Sequence, residues 1–236
     1  MYFSAVGGNR QIDFSLLTML ISAFQMKQVG FISFDAEGTL VTPDFSQTIW
    51  HEAIPALYAQ KKGFDLAQAK KRIAEEYGRI GDQRLEWYDI EYWFSYLGLG
   101  SSEPVIQSCL VKIGYYPEVT EVLSSLASEY KLIVASGTPL ELLHCLLRDI
   151  KPYFVRIFSS VSHYRQLKSP DFYLSICKEM EVKPSQVIHV GDNWQFDFLN
   201  ARQAGVDAFY LDRSGRNHQE SISDLTQLKR LLPPPM

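Results

Sequence analysis

The sequence contains little cysteine and has no excess of positive charge. Its 236 residues include three cysteines, Cys109, Cys145 and Cys177, which are odd in number and widely spaced. Such cysteines are typical of reduced, packed thiols, and they argue against a disulfide framework or a zinc cluster. The formal net charge is −4, and no dense Lys/Arg tract provides an electrostatic footprint for nucleic acid. We therefore expect a cytoplasmic protein that binds no nucleic acid.

Long hydrophobic runs are also absent. The longest apolar stretch near the N-terminus, residues 14–24, is interrupted by hydroxyl side chains and is too short to span a bilayer. Arg10 precedes this stretch, but residues 25–28 do not form the small-residue cleavage site of a signal peptide. We expect no membrane partner, and we interpret residues 1–25 as an extension outside the fold.

Histidine shows no metal-binding pattern. The five histidines lack a spacing such as H-E-x-x-H. His189 lies inside a predicted strand, where we expect a buried, hydrogen-bonded imidazole that has no part in chemistry. The remaining composition, 46% hydrophobic and 21% charged, is ordinary for a globular protein. The length allows one large domain or one domain with an insert.

Periodicity divides the chain into a helical block and an alternating block. A short apolar run, residues 31–34, predicts a buried strand, and helical patterns then dominate from residue 47 to about residue 100. The aromatic residues between 87 and 99 have helical spacing, which favours a place in a hydrophobic core. Beyond residue 118, strands and helices alternate, with strands predicted at 131–135, 155–158, 186–190 and 208–211 and helices at 118–130, 140–149, 171–180 and 196–204.

This alternation predicts an α/β protein with a mostly parallel sheet and helices on both faces. The helical block is then an insert after the first strand. Ligands of such sheets bind beyond the carboxyl ends of the strands. The residues at those ends therefore indicate the function.

Polar residues follow each of the main predicted strands. Carboxylates follow the first and fourth strands, a hydroxyl turn follows the second, and an ammonium group follows the third: Asp35, Glu37, Ser136, Gly137, Thr138, Lys168, Asp192 and Asp197. Carboxylate oxygens grouped in this way suit Mg²⁺, a hard cation that often binds together with a substrate phosphate. We therefore expect a magnesium site at this edge of the sheet.

These residues resemble the four motifs of the haloacid dehalogenase (HAD) superfamily, in the same order and at the same strand ends. The likeness covers about residues 30–213. It implies a three-layer Rossmann-like core, formed by residues 26–44 and 115–236, with an inserted all-helical cap of the C1 type at residues 45–114.

The resemblance also implies a role for each acid. Asp35 matches the nucleophile, which forms an aspartyl-phosphate and also binds the metal. Glu37 matches the general acid/base, and its backbone carbonyl matches a metal ligand. Most phosphatases of the superfamily have Asp at this second position, whereas the HAD family enolase-phosphatase has Asp-x-Glu-Gly-Thr. Asp192 matches the direct metal ligand, and Asp197 matches the second acid, which binds through water or orients the lysine.

The remaining motif residues match groups that bind the phosphoryl group. By resemblance, the Ser136 hydroxyl hydrogen-bonds this group, assisted by the backbone amides of Gly137 and Thr138. Lys168 matches the cation that offsets negative charge. The usual Lys-Pro of the family is Lys-Ser-Pro here, and Arg165 is the alternative cation.

The resemblance implies a Mg²⁺-dependent hydrolase that acts on the phosphomonoester of a small phosphorylated metabolite. The cap would close over the substrate, and residues near its linkers, such as Trp50, His51, Tyr115 and Tyr116, are candidates for contact with it. Two alternatives remain open. One is haloacid dehalogenation, which uses the same Asp nucleophile without metal. The other is a catalytically weakened HAD-fold binding protein, for which Glu37 is the single favourable feature.

Overall fold

The computed structural model describes residues 28–215 and 221–235 of the chain. The interpretation of residues 1–25 as an extension falls outside the described residues. No helix within the described part of the chain is long and apolar enough to cross a membrane.

The core is a six-stranded parallel sheet, which confirms the predicted fold class. The strand order is β3-β2-β1-β4-β5-β6. The strands are β1 (Phe31–Phe34), β2 (Lys131–Ser136), β3 (Phe154–Ser159), β4 (Val187–Gly191), β5 (Asp207–Leu211) and β6 (Ser221–Ile222). The first five strands match the predicted positions. The sequence analysis missed β6, because two residues are too few to show a period of two.

Strand β1 occupies the middle of the sheet. It pairs in parallel with β2 on one side and β4 on the other, and all four of its residues are buried. Ile32 and Phe34 belong to the hydrophobic cluster on one face, and Phe31 belongs to the cluster on the other. A strand that is covered on both faces consists of a continuous run of apolar residues. The apolar run at residues 31–34 was therefore sufficient to predict β1.

The segment between β1 and β2 is helical, as predicted for the insert. Helix α1 runs through Asp44–Thr48, a π-helical turn at Ile49–Ala53 and Ile54–Lys62. It is followed by α2 (Leu66–Ile80), α3 (Ile90–Leu97) and α4 (Glu103–Cys109), with short 3₁₀ turns at Leu85–Trp87 and Leu110–Lys112. The cap boundaries at residues 45 and 114 stay predictions.

Aromatic side chains form the centre of the insert. The ring of Tyr77 on α2 meets Trp93 edge-on, with the ring centroids 4.6 Å apart, and it meets Trp50 and Trp87 in the same way. Trp93 is fully buried, as predicted for the aromatic stretch, whereas Tyr96 is exposed. Perpendicular contacts of this kind fix the ring planes and add stability beyond the buried area.

The core helices follow in chain order. They are α5 (Val119–Ala127), α6 (Leu140–Leu146), α7 (Ser160–Tyr164), α8 (Pro170–Glu179), α9, which combines the π-helical Trp194–Leu199 with Asn200–Gln203, and α10 (Leu228–Leu231). Their apolar sides cover the sheet and complete the two hydrophobic clusters.

The chain enters and leaves the insert through two adjacent segments. Val41 and Tyr115 form an antiparallel bridge, and the Thr42 amide donates to the Gly114 carbonyl over 2.8 Å. The insert is therefore attached to the core by two short segments that are hydrogen-bonded to each other.

Arg213, just after β5, joins both of these segments to the core. Its guanidinium donates to the carbonyls of Gly38 and Thr39, with N–O distances of 3.2 and 2.8 Å. The same group forms an ion pair with Glu118 over 2.7 Å and lies 3.5 Å from the ring centroid of Tyr116. One side chain thus contacts the entry and the exit of the insert.

Candidate active site

The candidate site lies at the carboxyl ends of β1 and β4. Asp35 directly follows β1, and its backbone amide donates to the Val190 carbonyl of β4 over 2.9 Å. The strand order reverses between these two strands, and this is the point where parallel α/β sheets bind ligands.

Lys168 lies between two of the predicted carboxylates. Its ammonium donates to Asp35 Oδ1 over 2.7 Å and also forms a short ion pair with Asp197 Oδ1. All three side chains are at least nine-tenths buried. The structure therefore brings together residues from the first, third and fourth motifs.

Local structure explains the unusual Lys-Ser-Pro sequence. Ser169 is the N-cap of α8, where its hydroxyl accepts from the Phe172 amide, and Pro170 occupies the first helical position. The Lys168 carbonyl accepts from the Asn200 side chain over 2.7 Å, which fixes the backbone in front of the helix. Arg165, the alternative cation, ends α7 with an exposed side chain and is not part of the cluster.

Two glycines make room for the other carboxylates. A side chain at Gly38, whose φ is +76°, would overlap the carboxylate of Asp192, and one at Gly191 would overlap that of Asp197. Asp197 Oδ2 also accepts from the Asn193 amide over 2.9 Å. The glycines of both motifs are therefore required for the close packing of backbone and carboxylate.

Asp35, Asp192 and Asp197 form a triad suited to a cation. One carboxylate oxygen of each lies within 4.8 Å of the others. Three converging carboxylates are the oxygen donors that Mg²⁺ prefers, and their mutual repulsion is relieved when a cation binds. The donor set therefore fits the predicted ion.

The pKa values of the triad are shifted in different directions. Burial raises the pKa of Asp35, the Lys168 ammonium opposes this shift, and the charge of Asp197 adds to it. Burial raises the pKa of the Asp197 carboxyl, but the neighbouring Lys168 ammonium and His189 outweigh this effect and hold the pKa well below its usual range. Partial burial of its carboxyl, together with the charges of Asp35 and Asp197, raises the pKa of Asp192 above its usual range, although the residue as a whole stays exposed. Asp192 therefore carries the least compensated charge of the triad.

His189 is a contact that the sequence analysis did not foresee. It is fully buried, as expected, but its Nε2 lies 3.1 Å from Asp197 Oδ1, and its Nδ1 lies 2.9 Å from the Ser33 hydroxyl. Burial lowers the pKa of the imidazole, which favours the neutral ring. The sequence signal was the polar pair Ser33 and His189, which lie opposite each other on β1 and β4.

The hydroxyl turn after β2 borders the same cavity. The Ser136 hydroxyl is buried and accepts from the Thr138 amide over 3.3 Å. The Thr138 carbonyl accepts from Ser159 over 2.8 Å. Ser136, Gly137 and Thr138 line a cavity of about 350 Å³ together with Asp35, Lys168, Asp192 and Asp197, which we call the acid cavity.

Glu37 does not join the triad. Its half-buried carboxyl is hydrogen-bonded to Ser46 of α1, within the insert, and lines a second cavity. Burial raises the pKa of Glu37 to about 7, while the Ser46 hydrogen bond opposes this shift and the charge of Asp35 adds to it. The role of the Glu37 backbone carbonyl as a metal ligand stays a prediction.

The second cavity has a volume of about 290 Å³ and lies between the insert and α6. We call it the aromatic cavity, because Trp50, His51, Tyr77, Trp87 and Tyr88 line it. It meets the acid cavity at the shared residues Trp87, Tyr88 and Thr138.

Of the four candidates near the linkers, Trp50 and His51 line this cavity. Tyr115 instead donates its hydroxyl to the Leu146 carbonyl over 3.0 Å, and Tyr116 lies beneath Arg213. Trp87, which the sequence analysis assigned to the core, is half-buried and packs against the core, and it also lines both cavities.

Comparison with protein families gives a match over most of the chain. The family model of the haloacid dehalogenase-like hydrolases matches residues 31–205. The GMP/IMP nucleotidase YrfG of Escherichia coli strain K12 is 27% identical over 73 residues, which are 31% of this chain and 32% of that protein. The match therefore spans about a third of the length of this curated relative.

Solved structures share the fold. A HAD phosphatase from Thermococcus onnurineus superimposes with a TM-score of 0.78 at 21% identity, covering 88% of this chain and 99% of that one. A 2-haloacid dehalogenase from Pseudomonas syringae pv. tomato DC3000 gives a TM-score of 0.62 at 19% identity, covering 86% of this chain and 98% of that one. The fold therefore accommodates either chemistry, and the site residues have to distinguish them.

Proposed function

This chain belongs to the haloacid dehalogenase-like hydrolases, and we propose that it is a Mg²⁺-dependent phosphomonoester hydrolase of a small phosphorylated metabolite. The observation that carries the proposal is the triad of Asp35, Asp192 and Asp197 in contact with Lys168 at one edge of the sheet. The three free cysteines support a cytoplasmic location, where thiols stay reduced.

The triad is the proposed metal-binding site. Asp35, Asp192 and Asp197 would bind Mg²⁺, and the resemblance adds the backbone carbonyl of Glu37. The bound ion supplies positive charge that offsets the negative charge of the phosphoryl oxygens.

Asp35 is the proposed nucleophile. A carboxylate oxygen of Asp35 bonds to phosphorus, the bond from phosphorus to the leaving oxygen breaks, and an aspartyl-phosphate remains. The Lys168 ammonium favours the carboxylate form of Asp35, whereas burial opposes it, and the ion pair fixes the orientation of the side chain. Ser136 and the backbone amides of Gly137 and Thr138 are the proposed donors to the phosphoryl oxygens.

Glu37 is the proposed general acid and base. It gives its proton to the leaving oxygen and then takes a proton from the water that attacks the aspartyl-phosphate, which releases inorganic phosphate and restores Asp35. A pKa of about 7 suits a group that has to give and take a proton near neutral pH. Its position beside the aromatic cavity supports this role, because a leaving group would lie there.

Haloacid dehalogenation is the less favoured candidate. It needs the Asp nucleophile, but it does not need three carboxylates that converge as cation ligands. The triad therefore supports phosphoryl transfer, although the fold is shared with a dehalogenase. A binding protein without activity would have no need for the buried Lys168 contact with Asp35.

Hydrolysis of p-nitrophenyl phosphate with and without Mg²⁺ tests the proposal. We expect turnover that depends on Mg²⁺ and is lost in Asp35→Asn, while Asp171→Asn, on the exposed first turn of α8, serves as the control. No turnover with Mg²⁺, or unchanged turnover in Asp35→Asn, would overturn the proposal. Chloride release from a 2-haloacid without metal would favour the dehalogenase instead.

A further inference from the structure

We propose that the aromatic cavity binds an uncharged, planar ring system in the leaving group of the substrate. The class of substrate that meets this requirement is a nucleoside 5′-monophosphate. The inference rests on the proposed phosphomonoester hydrolysis, and it is carried by the position, walls, charge and size of the cavity.

The cavity is placed to receive the leaving group. A phosphate in the acid cavity has Asp35 and Lys168 on one side and the opening to the aromatic cavity at Trp87 and Tyr88. Glu37 lines the aromatic cavity rather than the acid cavity. An ester bound across the opening would therefore direct its leaving oxygen towards Glu37 and its organic part into the aromatic cavity.

The walls consist of rings with fixed orientations. Trp50 and Trp87 both meet Tyr77 edge-on, with centroid distances of 6.0 and 5.9 Å, and Tyr77 is itself packed against the buried Trp93. The Tyr77 hydroxyl donates to the Trp50 carbonyl over 3.2 Å. The half-buried faces of Trp50 and Trp87 are thus preformed surfaces on which a planar group can stack.

The π-helical turn of α1 contributes to the same wall. Trp50 and His51 both belong to Ile49–Ala53, where the helix has one extra residue per turn. Such turns are costly in isolation and are frequent at functional sites. The π-helical turn therefore supports a functional role for this wall independently of the shape of the cavity.

The charge of the lining selects against anionic leaving groups. Among the described residues, no Lys or Arg lines the aromatic cavity, and Glu37 is its acidic group. A leaving group with a carboxylate or a second phosphate would meet no lysine or arginine there, and this costs binding energy. Ser46 and Gln47 at the lining offer hydrogen bonds to the polar edge of a neutral ring.

The volume fits a small ring system. The cavity of about 290 Å³ is near the lower end of the range of about 300–1,000 Å³ that is typical of small-molecule sites. It suits a nucleobase with part of its sugar, whereas a small aliphatic group would leave the aromatic faces uncovered.

A matched pair of substrates tests the inference. Adenosine 5′-monophosphate and ribose 5-phosphate share the phosphoester and the sugar and differ in the base. Stacking of one base on aromatic side chains predicts a kcat/KM for the nucleotide that is about tenfold or more higher. An equal or higher kcat/KM for ribose 5-phosphate, or for phosphoglycolate with its carboxylate, would overturn the inference.

Variants of Trp50 locate the effect in the cavity. Trp50→Ala is expected to bring the ratio of the two kcat/KM values close to one, and Trp50→Phe is expected to retain most of it. Tyr96→Ala, on the exposed surface of α3, is the control with an unchanged ratio. An unchanged ratio in a folded Trp50→Ala protein would contradict the assignment.

Binding to the Asp35→Asn variant separates this inference from the proposed function. Calorimetric titration in the presence of Mg²⁺ is expected to give a Kd for adenosine 5′-monophosphate about tenfold or more below that for ribose 5-phosphate. If this preference holds but the native protein hydrolyses no ester, the proposed function fails and the cavity assignment stands. If turnover occurs without the preference, the cavity assignment fails alone.

Discussion

Lys168 forms ion pairs with two buried carboxylates, and its removal would leave Asp35 and Asp197 without their cation. We predict that Lys168→Gln lowers kcat for p-nitrophenyl phosphate by about 10²- to 10³-fold, as for the loss of a preorganised charge. Loss of one partner of a buried pair also predicts a fall of about 3–5 kcal/mol in the free energy of unfolding. Steady-state kinetics and chemical denaturation measure the two effects.

Arg165→Gln is the matched control for this prediction, because Arg165 is the other cation of the third motif and its side chain is exposed. Its kcat and its free energy of unfolding should stay close to those of the native protein. A large loss of kcat in Arg165→Gln with little change in Lys168→Gln would show that the wrong cation was assigned.

Gly38 gives a second prediction, because a methyl group there would overlap the Asp192 carboxylate. Gly38→Ala should raise the Mg²⁺ concentration needed for half-maximal activity by about 10- to 100-fold. Mutation of a residue that positions a metal ligand usually has an effect of this size. Gly38→Ala should also lower stability, because a left-handed conformation costs an L-residue about 1–2 kcal/mol. Activity against Mg²⁺ concentration and thermal unfolding are the measurements.

Gly63→Ala separates strain from the displacement of Asp192. Gly63 has almost the same φ, +74°, but no atom lies within 4 Å of the position of the added carbon. It should therefore show the loss of stability without the change in Mg²⁺ requirement. The same Mg²⁺ requirement in both variants would mean that Asp192 does not bind the metal.

The sequence allowed us to predict the position of residues that follow the ends of strands. Asp35, Asp192 and Lys168 were predicted to converge, and the structure brings them to one cavity. His189 is buried and hydrogen-bonded, as expected, but its contact with Asp197 was not foreseen, and neither was the place of Trp87 at the lining of both cavities. No local pattern reveals whether a buried ring contacts a carboxylate or borders a cavity. The catalytic roles themselves stay predictions.

At the scale of elements, Arg213 connects the core with both segments that lead to the insert. We predict that Arg213→Met speeds amide hydrogen exchange at Leu40 and Val41 and lowers kcat/KM, because Gly38 and Thr39 lose their side-chain donor. Since Glu37 is adjacent to Gly38, a loosened backbone would also weaken the positioning of its carboxyl. Exchange measured by mass spectrometry and steady-state kinetics test this.

Arg156→Met is the control for Arg213→Met. Arg156 forms an exposed ion pair with Glu179 on the other side of the sheet, and exposed pairs contribute only about 0–1 kcal/mol. It should leave exchange near Leu40 unchanged. Equal exchange rates at Leu40 in the native protein and in Arg213→Met would show that Arg213 does not hold this segment on the core.

The prediction of secondary structure was accurate where the hydrophobic pattern was strong. All five predicted strands formed, since buried parallel strands are continuous apolar runs. The two π-helical turns, Ile49–Ala53 and Trp194–Leu199, were not predicted. Their hydrogen-bond pattern has no residue signature of its own, so the sequence did not reveal the π-helical turns that carry Trp50 and Asp197.

For the molecule as a whole, we predict that divalent cations stabilise the fold by binding to the triad. A ligand that binds only the native state at 100 times its Kd adds about 2.7 kcal/mol, which corresponds to a rise in Tm of about 5–10 °C for a chain of this length. We predict such a rise on addition of MgCl₂ to metal-free protein, and its loss in Asp192→Asn. Differential scanning calorimetry measures both.

Choline chloride at the same ionic strength is the control for this prediction. Screening by salt also weakens repulsion among carboxylates, but it acts on exposed charges far more than on buried ones. An equal rise in Tm with choline chloride would show that Mg²⁺ acts by screening and not by binding at the triad.

The position of the insert also affects the order in which the protein folds. Strand β1, which positions Asp35, is made before β2 and β4, yet it can complete its ladder only after Lys131 and Val187 have been synthesised. The helices of the insert have mainly local contacts and can form earlier. Pulse-labelling hydrogen exchange during refolding should therefore show protection of α2 before β1, and the reverse order would contradict this. The central strand of the sheet, and with it the active site, is then among the last parts of the molecule to form.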